Sequence, residues 1–259
     1  MNVILSIGGR DVKVRGLELN NRIPAVCVPV TDTACSDITE HIRDLSSQTD
    51  MIEWRMDFFE DIASLEKLPH IFKEVRTAAG DTPLICTLRT QKEGGRYSGN
   101  DYEDVLKACA ASGCADIVDI EYDTISHSRS FISEISGSGV KTILSHHDFK
   151  MTPDGKTMFD YLEGMRDAGA DIVKLAVMPQ DALDVERLLG VTVDFHLKYP
   201  NTPEVTMSMG KTGVISRVSG GTSGSCITFG ADKEASAPGQ LDYLELKEII
   251  RILAEAGRD

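Results

Sequence analysis

The chain has 259 residues, of which 41% are hydrophobic and 26% charged, the balance of a folded globular protein rather than a disordered or fibrous one. Its formal net charge is −14 at pH 7, and it contains no lysine- or arginine-rich block, which argues against nucleic acid as a partner. No stretch reaches the roughly 20 apolar residues of a membrane span and the N-terminus lacks a signal-peptide pattern, so the expected compartment is the cytoplasm.

In chain order, the segment before Arg22, where Val12-Lys13-Val14 alternates with charges, is expected to form a hairpin closing a barrel floor. Short apolar runs then recur at 25–30, 51–57, 84–90, 117–121, 142–147, 172–177, 205–209 and 225–229. Amphipathic stretches fill the gaps, for example at 37–47, 102–112, 158–168, 182–198 and 244–256, and Gly113, Gly169 and Gly257 follow three of them as C-cap candidates. Eight such βα units near the typical length of about 250 residues predict a TIM (β/α)8 barrel. An open doubly wound sheet is the alternative, but it would normally carry a glycine-rich turn after its first strand, and none follows Val30. No Pro/Gly/Ser-rich linker divides the chain, so residues 1–259 are read as one catalytic domain. The six cysteines, Cys27, Cys35, Cys86, Cys109, Cys114 and Cys226, show neither Cys-x-x-Cys nor zinc-finger spacing, which disfavours disulfide and metal roles.

Lys174 stands inside the unbroken apolar run Ile172-Val173-Lys174-Leu175-Ala176-Val177. Burial disfavours an ammonium and makes an amine nucleophilic toward carbonyls, so this position suggests a Schiff-base lysine. The alternatives are a lysine paired with a buried carboxylate or one snorkelling from the strand end. Strand residues alternate between two faces, and in Glu53-Trp54-Arg55-Met56-Asp57 the charges share one parity. The same parity collects Thr87 with Arg89, Asp119 with Glu121, and Ser145 with His147. Together these predict a polar, anion-tolerant pocket around Lys174 at the C-terminal ends of the strands, where barrel enzymes place their active sites. Of His146 and His147, only His147 has the parity to face the pocket, where an imidazole suits general acid/base work. It could equally be a satisfied core histidine, or a metal ligand beside Glu121, although paired-histidine spacing for zinc is missing. The glycine-rich stretches at Glu93-Gly94-Gly95-Arg96 and Ser219–Gly224 admit a phosphate loop or simple turns.

Several of these segments, in order, resemble the type I 3-dehydroquinate dehydratases. They are Glu53-Trp54-Arg55-Met56-Asp57, Leu88-Arg89-Thr90 with Glu93-Gly94-Gly95, Ser145-His146-His147-Asp148-Phe149, and the Lys174 run through Met178-Pro179. Met207-Ser208-Met209-Gly210-Lys211-Thr212-Gly213, Ser216-Arg217, Thr228-Phe229-Gly230 and Ala235-Ser236-Ala237-Pro238-Gly239-Gln240 extend the likeness, which runs from about Ile23 to the C-terminus. The resemblance implies a TIM barrel that dehydrates 3-dehydroquinate without metal or organic cofactor, as a homodimer. It implies that Lys174 forms the imine, His147 is the general acid/base and Glu93 orients it. Arg217, Ser236 and Gln240 would receive the substrate carboxylate and a neighbouring hydroxyl. Glu53, Arg55 and Arg89 would hold ring hydroxyls, and Met207, Met209 and Phe229 would form an apolar wall. Residues 219–224 depart from the family in their glycine and serine content, and could order over substrate as a lid. The rival readings are another Schiff-base barrel lyase of the class I aldolase type, a metal-dependent hydrolase built on His147, and a catalytically silent binding barrel.

Overall fold

A computed structural model describes residues 12–19 and 23–257; residues 1–11, 20–22, 258 and 259 lie outside that description. The elements run β1 (Val12–Val14), β2 (Leu17–Leu19), β3 (Ala25–Val30), α1 (Cys35–Leu45), β4 (Met51–Arg55), α2 (Leu68–Ala79), β5 (Leu84–Thr87), α3 (Tyr102–Ala111), β6 (Ile117–Glu121) and α4 (Arg129–Gly137). They continue with β7 (Lys141–Asp148), α5 (Gly155–Ala168), β8 (Ile172–Val177), α6 (Ala182–Lys198), β9 (Glu204–Ser208), α7 (Ile215–Val218), α8 (Gly220–Ser223), β10 (Ile227–Phe229) and α9 (Tyr243–Ala256). Aspartates start three of the helices: Asp154, Asp181 and Asp242 each accept backbone N–H bonds from the first turn, which satisfies donors the helix cannot. Gly169, at φ 106°, stops α5 in the left-handed conformation, whereas Gly257 ends α9 at φ −87° and needs no such freedom.

The eight strands β3 to β10 pair in parallel in the order β10-β3-β4-β5-β6-β7-β8-β9. The last seam is closed by Cys226 N donating to Glu204 O at 2.8 Å and Thr206 N to Ser225 Oγ at 3.1 Å, so the sheet is a nearly closed TIM barrel, as expected. Its outer face packs on the helices through one continuous core that includes Trp54, Leu88, Val118, Leu144, Leu175 and Phe195. The inward parity is apolar at the N-terminal ends, where Met51, Ile85, Ile117, Ile143, Ile172, Val205 and Ile227 are all 0–1% exposed. Each such side chain contributes roughly 1.5–3 kcal/mol on burial. Farther along the same strands the inward positions become Glu53, Thr87, Asp119, Ser145 and Lys174, so the aliphatic layer forms the base on which the polar site stands.

The expected floor hairpin is present. β1 and β2 pair antiparallel, and Val12, Val14 and Leu19 pack into the same cluster as the aliphatic layer. Lys13 and Glu18 face outward and form an ion pair across the hairpin. Arg15, at φ 53° in the turn, donates Nε to Asp116 Oδ1 at 2.8 Å, fixing the hairpin to the loop before β6.

Three expectations need correction. The strand predicted over 51–57 ends at Arg55 and Met56–Phe58 form a 3-10 turn, so Asp57 lies beneath Arg55 rather than facing the pocket. The strand predicted over 84–90 ends at Thr87, and Thr90 pairs with Tyr97 only through an isolated bridge. Residues 219–224 lead into the N-terminal end of β10, at the barrel floor. There a Cβ on Gly220 would meet Ser225 O at 2.5 Å and Pro24 Cγ at 2.6 Å, so this segment is packed away from the pocket and cannot act as its lid.

Candidate active site

Lys174 points inward from the middle of β8 and is 4% exposed. Its Nζ donates to Asp119 Oδ2 at 3.0 Å, lies 3.8 Å from Glu53 Oε1, and sits 4.6 Å from the ring centroid of Phe229. Two of the sequence readings thus coincide: the strand lysine is paired with a buried carboxylate and also opens onto a pocket. Burial alone would raise Asp119, but the Arg89 and Lys174 cations, with hydrogen bonds from Ser145 and Lys174, hold it down to about 2.

Arg89 organises the carboxylates around this pair. Its Nη2 donates to Asp119 Oδ1 at 2.8 Å, and its Nη1 reaches Ser145 Oγ at 3.0 Å, Glu121 Oε1 at 3.3 Å and Glu93 Oε2 at 3.4 Å. Against burial, which opposes the charge, these carboxylates keep the guanidinium firmly protonated. Ser145 donates to Asp119 Oδ1 at 2.6 Å, and Thr87 to Glu53 Oε1 at 2.7 Å. Arg55 forms a bidentate pair with Asp57, both contacts at 2.8 Å. Glu121 is spent on Thr90 and Thr124, so it does not join His147 in a metal site.

His147 places Nδ1 at 2.8 Å from Glu93 Oε2. Burial, then the neighbouring Arg89 and Lys174 cations, hold its basicity well below the ordinary histidine value, so the ring is neutral at physiological pH. Burial also pushes Glu93 up to about 9, helped by Glu121 and Asp119 and opposed by Arg89. The same Glu93 Oε2 accepts from Arg89 and faces His147 Nδ1. A carboxyl held at about 9 keeps its proton near neutral pH; only once ionised does Glu93 take the Nδ1 hydrogen and leave Nε2 with its lone pair toward the pocket, so loss of the Glu93 proton is a condition for His147 to act as a proton acceptor. His146 has the opposite parity: it stacks on Tyr161 at 4.0 Å and pairs with Asp123 at 2.9 Å.

These groups share one pocket that is open at its mouth. It is lined by Glu53, Arg55, Arg89, Glu93, His147, Lys174, Met207, Met209, Phe229, Ser236 and Gln240. Every site residue named from sequence is therefore brought together except Arg217. That side chain is 1% exposed on α7, behind the loop between β10 and α9. Its Nη2 donates to Pro238 O at 2.8 Å, while Nε and Nη1 are buried with no hydrogen-bond partner among the described residues, and burial lowers the guanidinium to about 10. In the same loop Gln240 Oε1 accepts from Ser236 N at 2.8 Å and Gln240 Nε2 donates to Ser236 Oγ at 3.0 Å.

Sequence parity places Thr87, Asp119 and Ser145 in the predicted polar pocket but assigns none of them a role there. Gly94, Phe149, Ala176 and Ala237 also line the pocket and were not singled out. Gly94, at φ 78°, allows Phe149 to lie where a Cβ would come within 2.4 Å of it. Among the described residues, one group of potential metal ligands, Glu93, Asp123 and His146, gathers ligand atoms within 4.8 Å. Glu93 Oε2 already faces His147 and Arg89, and His146 already faces Asp123, so ion pairing accounts for this group. No helix of the described residues is long and apolar enough to cross a membrane.

Comparison with known proteins extends over nearly the whole barrel. A model of the type I 3-dehydroquinase family matches residues 26–256. The 3-dehydroquinate dehydratase of Clostridium novyi is 39% identical over 248 residues, covering 94% of this chain and 98% of that protein. That of Bacillus licheniformis is 39% identical over 246 residues, covering 93% and 97%. The crystal structure of the type I enzyme from Clostridium difficile with covalently modified comenic acid superposes with a TM-score of 0.90 at 35% identity, covering 96% of this chain and 99% of that one. The Geobacillus kaustophilus 3-dehydroquinate dehydratase gives 0.92 at 30% identity, covering 97% and 99%. With the barrel, the lysine pocket and this breadth of match in hand, the chain belongs to the type I 3-dehydroquinase family.

Proposed function

We propose that this chain, as a single catalytic domain, dehydrates 3-dehydroquinate to 3-dehydroshikimate through an imine on Lys174, with His147 moving the protons. The observation that carries the reading is Lys174 Nζ buried between Asp119, Glu53 and the Phe229 ring in a pocket that also holds His147. Covalent modification in the Clostridium difficile relative is in keeping with covalent chemistry at such a site.

The Lys174 amine adds to the C3 ketone and water leaves, giving an iminium. This cation forms where the ionised Asp119 and the Phe229 face already favour positive charge. His147 Nε2 takes a C2 proton, and the electron pair passes into the iminium to give an enamine. The enamine expels the C1 hydroxyl, which leaves as water with the proton held by His147. Hydrolysis of the conjugated iminium then frees the product and the amine.

Arg217 would receive the substrate carboxylate, because its guanidinium is a fixed cation whose buried Nε and Nη1 have no hydrogen-bond partner among the described residues. Ser236 and Gln240 would bind the carboxylate and a neighbouring hydroxyl. Glu53, Arg55 and Arg89 would address ring hydroxyls, with most Arg89 donors already fixed on protein carboxylates. Met207, Met209 and Phe229 form the apolar wall. No metal or organic cofactor enters these steps. The resemblance extends the reading to a homodimer in the cytoplasm.

Borohydride reduction with 3-dehydroquinate, followed by peptide mapping, tests the reading. A ligand-sized adduct on Lys174, formation of an ultraviolet-absorbing enone carboxylate, and loss of both in Lys174→Ala are expected. Enone formation without an adduct would overturn the imine, and two carbonyl fragments in place of the enone would indicate an aldol cleavage.

A further inference from the structure

We infer that His41, a residue outside the pocket, is a positioning residue that latches the substrate-binding loop to the barrel by bridging Asp32 and Asp232. The inference rests on the reading that Ser236 and Gln240, carried by this loop, hold substrate. His41 lies on the inner face of α1 with its side chain 7% exposed. Its Nδ1 is 2.5 Å from Asp32 Oδ2 and its Nε2 is 3.0 Å from Asp232 Oδ2. Carboxylates only accept, so satisfying both contacts requires a hydrogen on each ring nitrogen and makes the bridge charge-assisted at both ends.

The two aspartates belong to different parts of the catalytic face. Asp32 follows β3 in a segment that is itself tied down, since Glu60 N donates to Thr33 O at 3.1 Å. Asp232 is the first residue of the β10–α9 loop beyond its pinched base, where Ala231 N donates to Leu241 O at 2.7 Å and Tyr243 N to Ala231 O at 2.8 Å. The far part of the loop rests on Pro238 O, which accepts from Gly210 N at 3.1 Å and Arg217 Nη2 at 2.8 Å. Gly239, at φ 79°, lies so close to Gly210 that a Cβ would come within 2.3 Å of its carbonyl oxygen. Ser236, Ala237 and Gln240 lie between these attachments and line the pocket. Without the bridge, the near leg from Asp232 to Ala235 loses its only side-chain hydrogen bond to the barrel wall among the described residues. The geometry of Ser236 and Gln240 over the substrate would loosen with it.

The experiment compares wild type with His41→Ala, Asp232→Ala and the double variant. Amide hydrogen exchange of residues 232–240 is measured without ligand, and steady-state kinetics with 3-dehydroquinate. The expected result is about tenfold faster exchange confined to this loop and KM about tenfold higher, the scale of one charge-assisted hydrogen bond. The turnover number should stay within about twofold, and the double variant should be no worse than either single. A purely structural role for His41 would lower thermal stability without moving KM. That result, unchanged exchange in Asp232→Ala, or additive effects in the double variant would each overturn the latch. If His41→Ala does not fold, Asp232→Ala alone decides by the same readouts, because Asp232 is on the partly exposed side of the bridge. Exchange is read without substrate, so it judges the latch even if wild type fails to turn over 3-dehydroquinate, an outcome that would instead sink the proposed function.

Discussion

Replacing Arg217 with methionine should make the ligand-free protein more stable and nearly abolish substrate binding. The guanidinium is buried with a single hydrogen bond, to Pro238 O, and no carboxylate offsets the burial that lowers it to about 10. At 1.36 kcal/mol per pH unit, the gap to the ordinary arginine value corresponds to about 3 kcal/mol of penalty on the charged form. The sign is that of a base weakened by folding. The penalty is fully present below about pH 10 and fades only as pH rises from there toward the ordinary arginine value. Methionine removes it at similar volume, at the loss of the Pro238 bond, worth about 1 kcal/mol. The net gain is about 2 kcal/mol, or a midpoint rise of about 4–8 °C for a chain of this size. Urea titration should show the midpoint moving up with an unchanged slope. Substrate binding should weaken by about 2–4 kcal/mol, or roughly 30- to 1,000-fold, because the carboxylate loses a charged hydrogen-bond partner. A variant less stable than wild type, or one that binds 3-dehydroquinate within tenfold of it, would refute the reasoning.

Asp119→Asn removes the anion shared by Arg89 and Lys174 and should destabilise the fold by about 3–5 kcal/mol in urea titration. Because Asp119 is held at about 2, its contribution in wild type is complete above about pH 4 and is lost as pH falls through about 2; the asparagine variant should lack that acid-dependent loss. His147→Ala should still trap the imine while turnover falls by about 10²–10⁴. In wild type the His147 ring should stay neutral to well below pH 6.5, since burial and the Arg89 and Lys174 cations oppose its protonation; an NMR titration that shows it protonating at or above 6.5 would contradict the neutral-base assignment. Exhaustive chelation should leave turnover unchanged, and a loss restored by a divalent cation would point to the Glu93, Asp123 and His146 group.

Parity carried the sequence reading far, because a barrel strand has only two faces and the apolar outer positions left no choice for Glu53, Ser145 or Lys174. It failed at Asp57, where the chain leaves the strand one residue after Arg55 and the period of two no longer applies. Asp119 was legible as inward, but not as the ion-pair partner of Lys174, since that depends on how β6 and β8 stagger around the closed sheet. Glycine content suggested mobility for 219–224 without telling which end of the barrel the segment occupies. The β10–α9 loop, which does cover the pocket, was marked by Ser236 and Gln240 alone. The His41 bridge was invisible, since Asp232 is 191 residues away in sequence and neither residue interrupts a pattern.

The stoppered base of the barrel makes the site a blind well. With Val12, Val14 and Leu19 capping the aliphatic layer, the floor is closed and the pocket opens at the other end, where Ser236 and Gln240 line it. On the proposed function, substrate, product and the expelled water would share that opening, and occupancy of the well by one ring would exclude the next. In the proposed mechanism, the water that hydrolyses the product imine would enter by the opening through which the eliminated water leaves.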